Sequence, residues 1–157
     1  MMLVRTIWGM EVFMYKTYLC IDLKSFYASV ECVELGLDPF EVNLVVADPT
    51  RGGGAITLAA SPAIKKLGVS SRGRIYEIDS TIEYMITPPR MHLYMEYSCK
   101  VYKVFLEFIA KEDIHVYSID ESFLDVTSYL KLYQISAKEL AKKYWIVSMK
   151  KQVLQLL

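Results

Sequence analysis

Two acidic strand ends are the parts of this chain best equipped for chemistry. Val116-Tyr117-Ser118-Ile119-Asp120-Glu121-Ser122-Phe123-Leu124-Asp125-Val126 sets an adjacent Asp120–Glu121 pair between two runs of strand-forming residues. That is the pattern of a β-hairpin with acid at its turn. Much earlier, Tyr18-Leu19-Cys20-Ile21-Asp22 is a short apolar run that ends in a third acid. Each motif alone has a plain explanation, because acids are common in solvated turns and at strand ends. Together, three carboxylates on two strand ends suit a divalent-metal site, since hard cations take oxygen ligands. Two-metal phosphoryl-transfer centres bridge ions about 3.5–4 Å apart, and rigid strand ends hold such ligands better than loops do. One ion lowers the pKa of an attacking hydroxyl; the other binds a triphosphate and stabilises the leaving pyrophosphate. The chemistry suggested is nucleotidyl transfer.

Several elements must position these acids. Tyr18–Asp22 reads as a buried strand. Lys24–Leu35 carries Phe26, Val30 and Val33 at helical spacing, and Gly36 and Pro39 end it. Leu44–Ala47 reads as a strand, Arg51-Gly52-Gly53-Gly54 as a turn, and Ala55–Leu58 as a second strand. Ser61-Pro62 is an N-cap followed by proline at the first helical position, and that short helix ends at Gly68. Short strands or turns are expected around Ile75–Ile78 and Tyr84–Ile86. Arg90–Lys111 is the longest helical segment, with Leu93, Tyr97, Val101, Val104, Phe105 and Phe108 on one stripe. The acidic hairpin spans Ile114–Val126, and Ala137–Lys151 is helix-permissive. This order predicts an α+β domain with one inserted subdomain.

Composition narrows the class. With 157 residues and 54% hydrophobic residues the chain can bury a core, and a mean hydropathy of +0.24 excludes a disordered chain. Lys+Arg and Asp+Glu balance at 18 each, so affinity for nucleic acid would have to rest on local patches. Cys20, Cys32 and Cys99 share no metal-ligand spacing and no secretory leader precedes them, which predicts reduced thiols in a cytoplasmic protein. Met1–Tyr15 is apolar but broken by Arg5, Gly9 and Glu11, too short to span a membrane, so no membrane partner is expected. His92 and His115 have no ligand-spaced partners, and the 12 Tyr and 8 Met follow the helical stripes as core residues do.

Three motifs carry a family resemblance. Asp22-Leu23-Lys24-Ser25-Phe26-Tyr27-Ala28-Ser29-Val30-Glu31 resembles the opening motif of Y-family DNA polymerases, the translesion enzymes. Ser118-Ile119-Asp120-Glu121-Ser122-Phe123-Leu124-Asp125 resembles their second metal-binding motif. Leu58-Ala59-Ala60-Ser61-Pro62-Ala63-Ile64-Lys65-Lys66-Leu67-Gly68-Val69 resembles the fingers segment over the incoming nucleotide. Pro62 and Lys65 stand where the DinB-like branch has tyrosine and arginine, so the chain is more similar to the UmuC-like branch.

The resemblance implies a partial polymerase palm, an antiparallel-rich sheet with packed helices, plus a small inserted fingers subdomain. The implied division is an N-terminal extension over 1–17, the first palm strand and helix over 18–35, a fingers-like subdomain over 36–90, and palm with the acidic hairpin over 91–143. It also implies that Asp22, Asp120 and Glu121 are catalytic and hold two Mg²⁺ ions, with the backbone carbonyl of Leu23 as a further ligand. Leu23, Phe26, Tyr27 and Lys65 would contact the nucleotide. Tyr27 would be the steric gate against a ribonucleotide's 2′-hydroxyl, and amides near the start of its helix would hold phosphate oxygens. Apart from the resemblance, Tyr27 reads as a core residue on a helix and Lys65 as a solvated lysine. Asp125 is left outside the metal site, and the triple glycine reads as a plain loop. The implied partners are primer-template DNA and a deoxynucleoside triphosphate, with a sliding clamp or accessory proteins of the SOS response beside them.

The resemblance runs through Ala141-Lys142-Lys143 and then stops; a third palm strand, a thumb and a little finger would be expected beyond it. If the last base of the Lys143 codon opens the next codon, Tyr144-Trp145-Ile146 yields leucine then aspartate, and Met149-Lys150 yields glutamate, whatever codons are used. The expectation is a frameshifted tail over 144–157 and an isolated product that is weakly stable or self-associating. In it Trp145, Ile146, Val147, Val153, Leu154, Leu156 and Leu157 would partly cover an incomplete sheet. Two other readings stay open: a palm-type nucleotidyl cyclase or two-metal nuclease, and a non-catalytic remnant or partner-binding fragment.

Overall fold

The computed structural model describes residues 2–5, 11–14 and 16–150. The first two segments and residues 145, 146 and 148–150 are described by backbone alone. Strands β1 (Met2–Arg5) and β2 (Glu11–Met14) pair antiparallel, a hairpin inside the segment expected to be a plain extension. The central sheet has the order β3-β8-β7, built from β3 (Tyr18–Asp22), β7 (Ile114–Val116) and β8 (Glu121–Asp125), all antiparallel. A second sheet, β5-β4-β6, joins β4 (Leu44–Val46) to β5 (Ala59–Ala60) antiparallel and to β6 (Met85–Thr87) parallel.

Strand β4 is buried on both faces, as a continuous apolar run requires. Leu44 and Val46 face the main core, while Val45 joins a small core with Ala60 and Ile64. The main core is filled by α1 (Phe26–Glu34), α3 (Met91–Phe105) and α5 (Ala137–Lys150), which contribute Phe26, Val30, Tyr94, Tyr97, Val101, Phe105, Leu140 and Tyr144. Leu124 of β8 is fully buried among them. The five-residue α2 (Pro62–Lys66) starts where the sequence predicts: Ser61 Oγ accepts the amide of Ile64, and Pro62 takes the first helical position.

Two expectations need correction. Ala55–Leu58 is not a strand: Thr57 N–H bonds Gly73, Ile75 N–H bonds Ala55, and of the segment only the Leu58 amide reaches β4, donating to Val46 at 2.8 Å beside the paired Ala59–Ala60. The loop from Gly73 to Ile75 competes successfully for those backbone groups. The long helix ends at Phe105 rather than Lys111. Phe108 and Ile109 close tight turns onto Phe105, and the Ala110 amide donates to the Tyr129 hydroxyl at 2.9 Å instead of continuing the helix. That hydroxyl belongs to α4 (Thr127–Tyr133), a helix that the sequence pattern does not predict, closed by Gln134 in the left-handed region at φ 52°. The division of the tail is likewise only partly visible. Tyr144 is buried and Val147 half-buried, while the side chains of Trp145 and Ile146 and residues 151–157, with Val153, Leu154, Leu156 and Leu157, lie outside the described residues. Among the described residues no helix is long and apolar enough to cross a membrane.

Candidate functional site

The pairing of β3 with β8 brings the two acidic motifs together. Its register sets Asp22 opposite Glu121, and the Leu23 amide donates to the Asp120 carbonyl at 2.9 Å. Side chains alternate along each strand, so Cys20, Asp22 and Glu121 share one face, and the Cys20 thiol donates to Glu121 Oε1 at 3.6 Å. Asp120 sits in the bend before β8, where Ser118 Oγ donates to its Oδ1 at 2.7 Å. Two amides of the turn, those of Tyr117 and Ser118, both donate to the Glu121 carbonyl at 3.0 Å. The acidic tip is therefore a bonded turn and not a loose one.

Two clefts flank this strand end. The wider, about 490 Å³, is lined by Asp22, Lys24, Ser25, Phe40, Pro62, Lys65 and Lys66. The narrower, about 130 Å³, is lined by Asp120, Tyr27, Phe26, Ser25, Lys65 and Arg72 among others. Ser25 and Lys65 line both, so Lys65 of α2 stands between the Asp22 and Asp120 sides. Leu23 itself is buried at the head of a third cavity that it shares with Asp120 and α3.

The described donor set consists of carboxylate oxygens and a neighbouring backbone carbonyl, which suits a hard divalent cation such as Mg²⁺. The backbone register fits that role, while the Asp120 and Glu121 side chains accept from Ser118 and Cys20. Among the described residues no three His, Cys, Asp or Glu side chains gather as a metal-binding group.

Tyr27 lies in the first turn of α1, half-buried, with its ring stacked on Tyr94 at 4.3 Å and 10°. Burial first, and then the charge of Asp120, push its phenol pKa up, so the hydroxyl stays protonated at neutral pH. Phe26 is 2% exposed and packs into the main core, its ring 5.9 Å from that of Tyr27. Asp125, left out of the metal site, is held by Lys16 Nζ at 2.7 Å and by the Thr127 amide. Its own burial opposes ionisation, but the bonds from Lys16 and Thr127 together hold its carboxyl below the usual range.

Sequence reasoning missed several residues here. Ser25 is left-handed at φ 55° without being glycine, a conformation costing about 1–2 kcal/mol and one that collects at functional sites. Its place inside the opening motif was the available signal. Lys24, Lys66 and Arg72 add positive charge to the clefts, yet nothing in their local pattern distinguishes them from solvated lysines and arginines. A third omission is a buried network in which Glu31 accepts from Arg90 and Tyr94; its partners are too far apart in sequence to be paired by spacing. The triple glycine forms a tight helical turn, Pro49–Gly54, kinked at Gly52 with φ 54° and ψ −145°, which only glycine adopts easily.

Comparison with known proteins agrees with this architecture. The impB/mucB/samB family model matches residues 21–157. The chain is 44% identical over 111 residues to the putative UV-damage repair protein UvrX of Bacillus subtilis (strain 168), covering 70% of this chain and 27% of UvrX. It is 42% identical over 103 residues to the DNA repair protein homolog YozK of the same organism, covering 65% of this chain and 90% of YozK. Among solved structures it is similar to a Y-family DNA polymerase chimera, Dbh-Dpo4(243-245)-Dbh, with a TM-score of 0.72 and 25% identity over 85% of this chain and 39% of that one. It thus spans about a quarter of UvrX and well under half of the chimera. The family model spans both the opening motif and the acidic hairpin, so the chain belongs to the impB/mucB/samB family, and its relatives include DNA-repair proteins and Y-family DNA polymerases.

Proposed function

We propose that this chain is the palm-and-fingers part of a UmuC-like translesion DNA polymerase. The parent reaction is template-directed transfer of a deoxynucleotide onto a primer 3′-hydroxyl. The observation that carries the reading is the β3–β8 register, which sets Asp22 beside Glu121, with Asp22 on one basic-lined cleft and Asp120 on the other. Asp22, Asp120, Glu121 and the Leu23 carbonyl would hold two Mg²⁺ ions, which supply activation of the primer hydroxyl and neutralisation of the triphosphate. Lys65 supplies a point charge to the phosphates rather than an arginine's fork, and the Phe26 and Tyr27 amides at the start of α1 face phosphate oxygens favourably. The Tyr27 ring closes the space beside the sugar. Primer-template DNA and the deoxynucleoside triphosphate are the partners, with a sliding clamp or SOS accessory protein beside them. In this division residues 36–90 form the fingers-like unit and 91–143 return to the palm.

The test is Mg²⁺-dependent binding of a deoxynucleoside triphosphate to the chain, followed by primer extension with the chain grafted in place of the matching region of a full-length Y-family polymerase. Asp120→Ala is expected to abolish extension and to weaken Mg²⁺-dependent binding about tenfold or more, roughly 1.4 kcal/mol. Unchanged extension by that variant refutes the assignment. A second reading, a non-catalytic fragment that engages partners in damage tolerance, draws on YozK, a relative that a 103-residue match spans over 90% of its length. It predicts that Asp120→Ala and Glu121→Ala together leave the cellular response to DNA damage unchanged.

A further inference from the structure

The ring of Tyr27 is held from behind. Its face stacks on Tyr94, which is fully buried in α3. The Tyr94 hydroxyl donates to Glu31 Oε1 at 2.6 Å, and Glu31 lies one helical turn beyond Tyr27 on α1. The Glu31 side chain is only 3% exposed. Arg90 completes its shell, with Nε 3.1 Å from both carboxylate oxygens and Nη2 2.6 Å from Oε2. A carboxylate this deep requires bonds to both oxygens, and a guanidinium fork supplies them with fixed geometry. Arg90 immediately precedes α3, where the chain re-enters the palm from the small subdomain. The contacts therefore run without a gap from the base of that subdomain, through a buried carboxylate and a phenol, to the face of Tyr27.

We infer that Glu31, Arg90 and Tyr94 are positioning residues that fix the Tyr27 ring at the angle excluding a 2′-hydroxyl. Discrimination between ribose and deoxyribose then depends on a half-buried ionic contact at the root of the fingers-like unit. The inference rests on the proposed gate role of Tyr27 and adds what sets its orientation. Without the stack, the ring regains freedom about both side-chain torsions, and a mobile gate excludes less than a fixed one.

The experiment measures Mg²⁺-dependent binding of dATP and ATP to the full chain, together with ¹⁹F NMR of fluorotyrosine to follow the Tyr27 ring. Four variants are compared: Tyr27→Ala, Tyr94→Leu, Tyr94→Phe and Arg90→Lys. Tyr27→Ala is expected to erase the preference for dATP. Tyr94→Leu should lower it about three- to tenfold and speed motion of the Tyr27 ring. Tyr94→Phe, which keeps the stack but loses the bond to Glu31, should fall between Tyr94→Leu and the parent chain, Arg90→Lys should lose no more than Tyr94→Phe, and a full preference in both would remove Glu31 and Arg90 from the relay. If Tyr27→Ala loses the preference while folded Tyr94→Leu keeps it, the relay is wrong and the gate reading stands. If Tyr27→Ala keeps the preference, both fall. Where nucleotide binding is too weak to read, the NMR arm decides: a Tyr27 ring unaltered by Tyr94→Leu overturns the relay.

Discussion

Replacing Tyr144 with phenylalanine should stabilise this protein, an unusual sign for a core substitution. Tyr144 is 3% exposed and its ring meets Phe105 edge-on at 5.8 Å and Phe108 at 5.1 Å. Its hydroxyl is buried with no hydrogen-bond partner among the described residues. Burial first, then the nearby Tyr133 and Tyr129, push the phenol pKa up, as expected where the charged form has no support. An unsatisfied buried hydroxyl costs about 1–3 kcal/mol. Phenylalanine keeps both ring contacts and leaves an oxygen-sized void, which at about 24 cal/mol per Å³ costs a few tenths of a kcal/mol. The net gain is on the order of 1–2 kcal/mol, or roughly 3–6 °C in Tm for a chain of this size. Urea unfolding should show a higher midpoint at unchanged slope. A lower midpoint would refute the reasoning by showing that the hydroxyl has a partner, such as an ordered water.

Burial sets the other expectations. Leu124, fully buried where β8 meets the helices, should lose about 2–5 kcal/mol on change to Ala, read as a lower urea midpoint. Cys20 and Cys99 are exposed and Cys32 is buried, so a thiol reagent should modify two cysteines in the folded chain and the third only in denaturant. Burial first, then Asp38 and Glu31, push the Cys32 thiol from 9.0 to about 11. Because the folded pKa is the higher, its contribution is fully present below pH 9.0 and is lost as pH rises through about 11. A Cys32→Ala chain should therefore show a shallower fall in stability across that window than the parent chain, measured by denaturant midpoints at each pH. An equal slope in both would show that Cys32 does not titrate there.

The sequence by itself determined the local pieces of this protein and the order in which they come. Alternation and apolar runs located β3, β4 and the acidic hairpin, and Ser61-Pro62 located the start of α2, because these signals lie in neighbouring residues. Motifs of fixed spacing singled out the three acids and Tyr27, and their roles rest on the proposed function. Tertiary structure alone decided the register that sets Asp22 opposite Glu121, the end of α3 at Phe105 and the short β5. Each depends on a backbone group finding a partner distant in the chain, such as Ala110 with Tyr129 or Thr57 with Gly73. The same holds for the contacts from Arg90 through Glu31 and Tyr94 to Tyr27: helical spacing could suggest that each residue is buried, but only packing α1 against α3 brings a ring, a phenol, a carboxylate and a guanidinium into one line. Periodicity reports which face of an element turns inward, and it carries no information about what that face will meet.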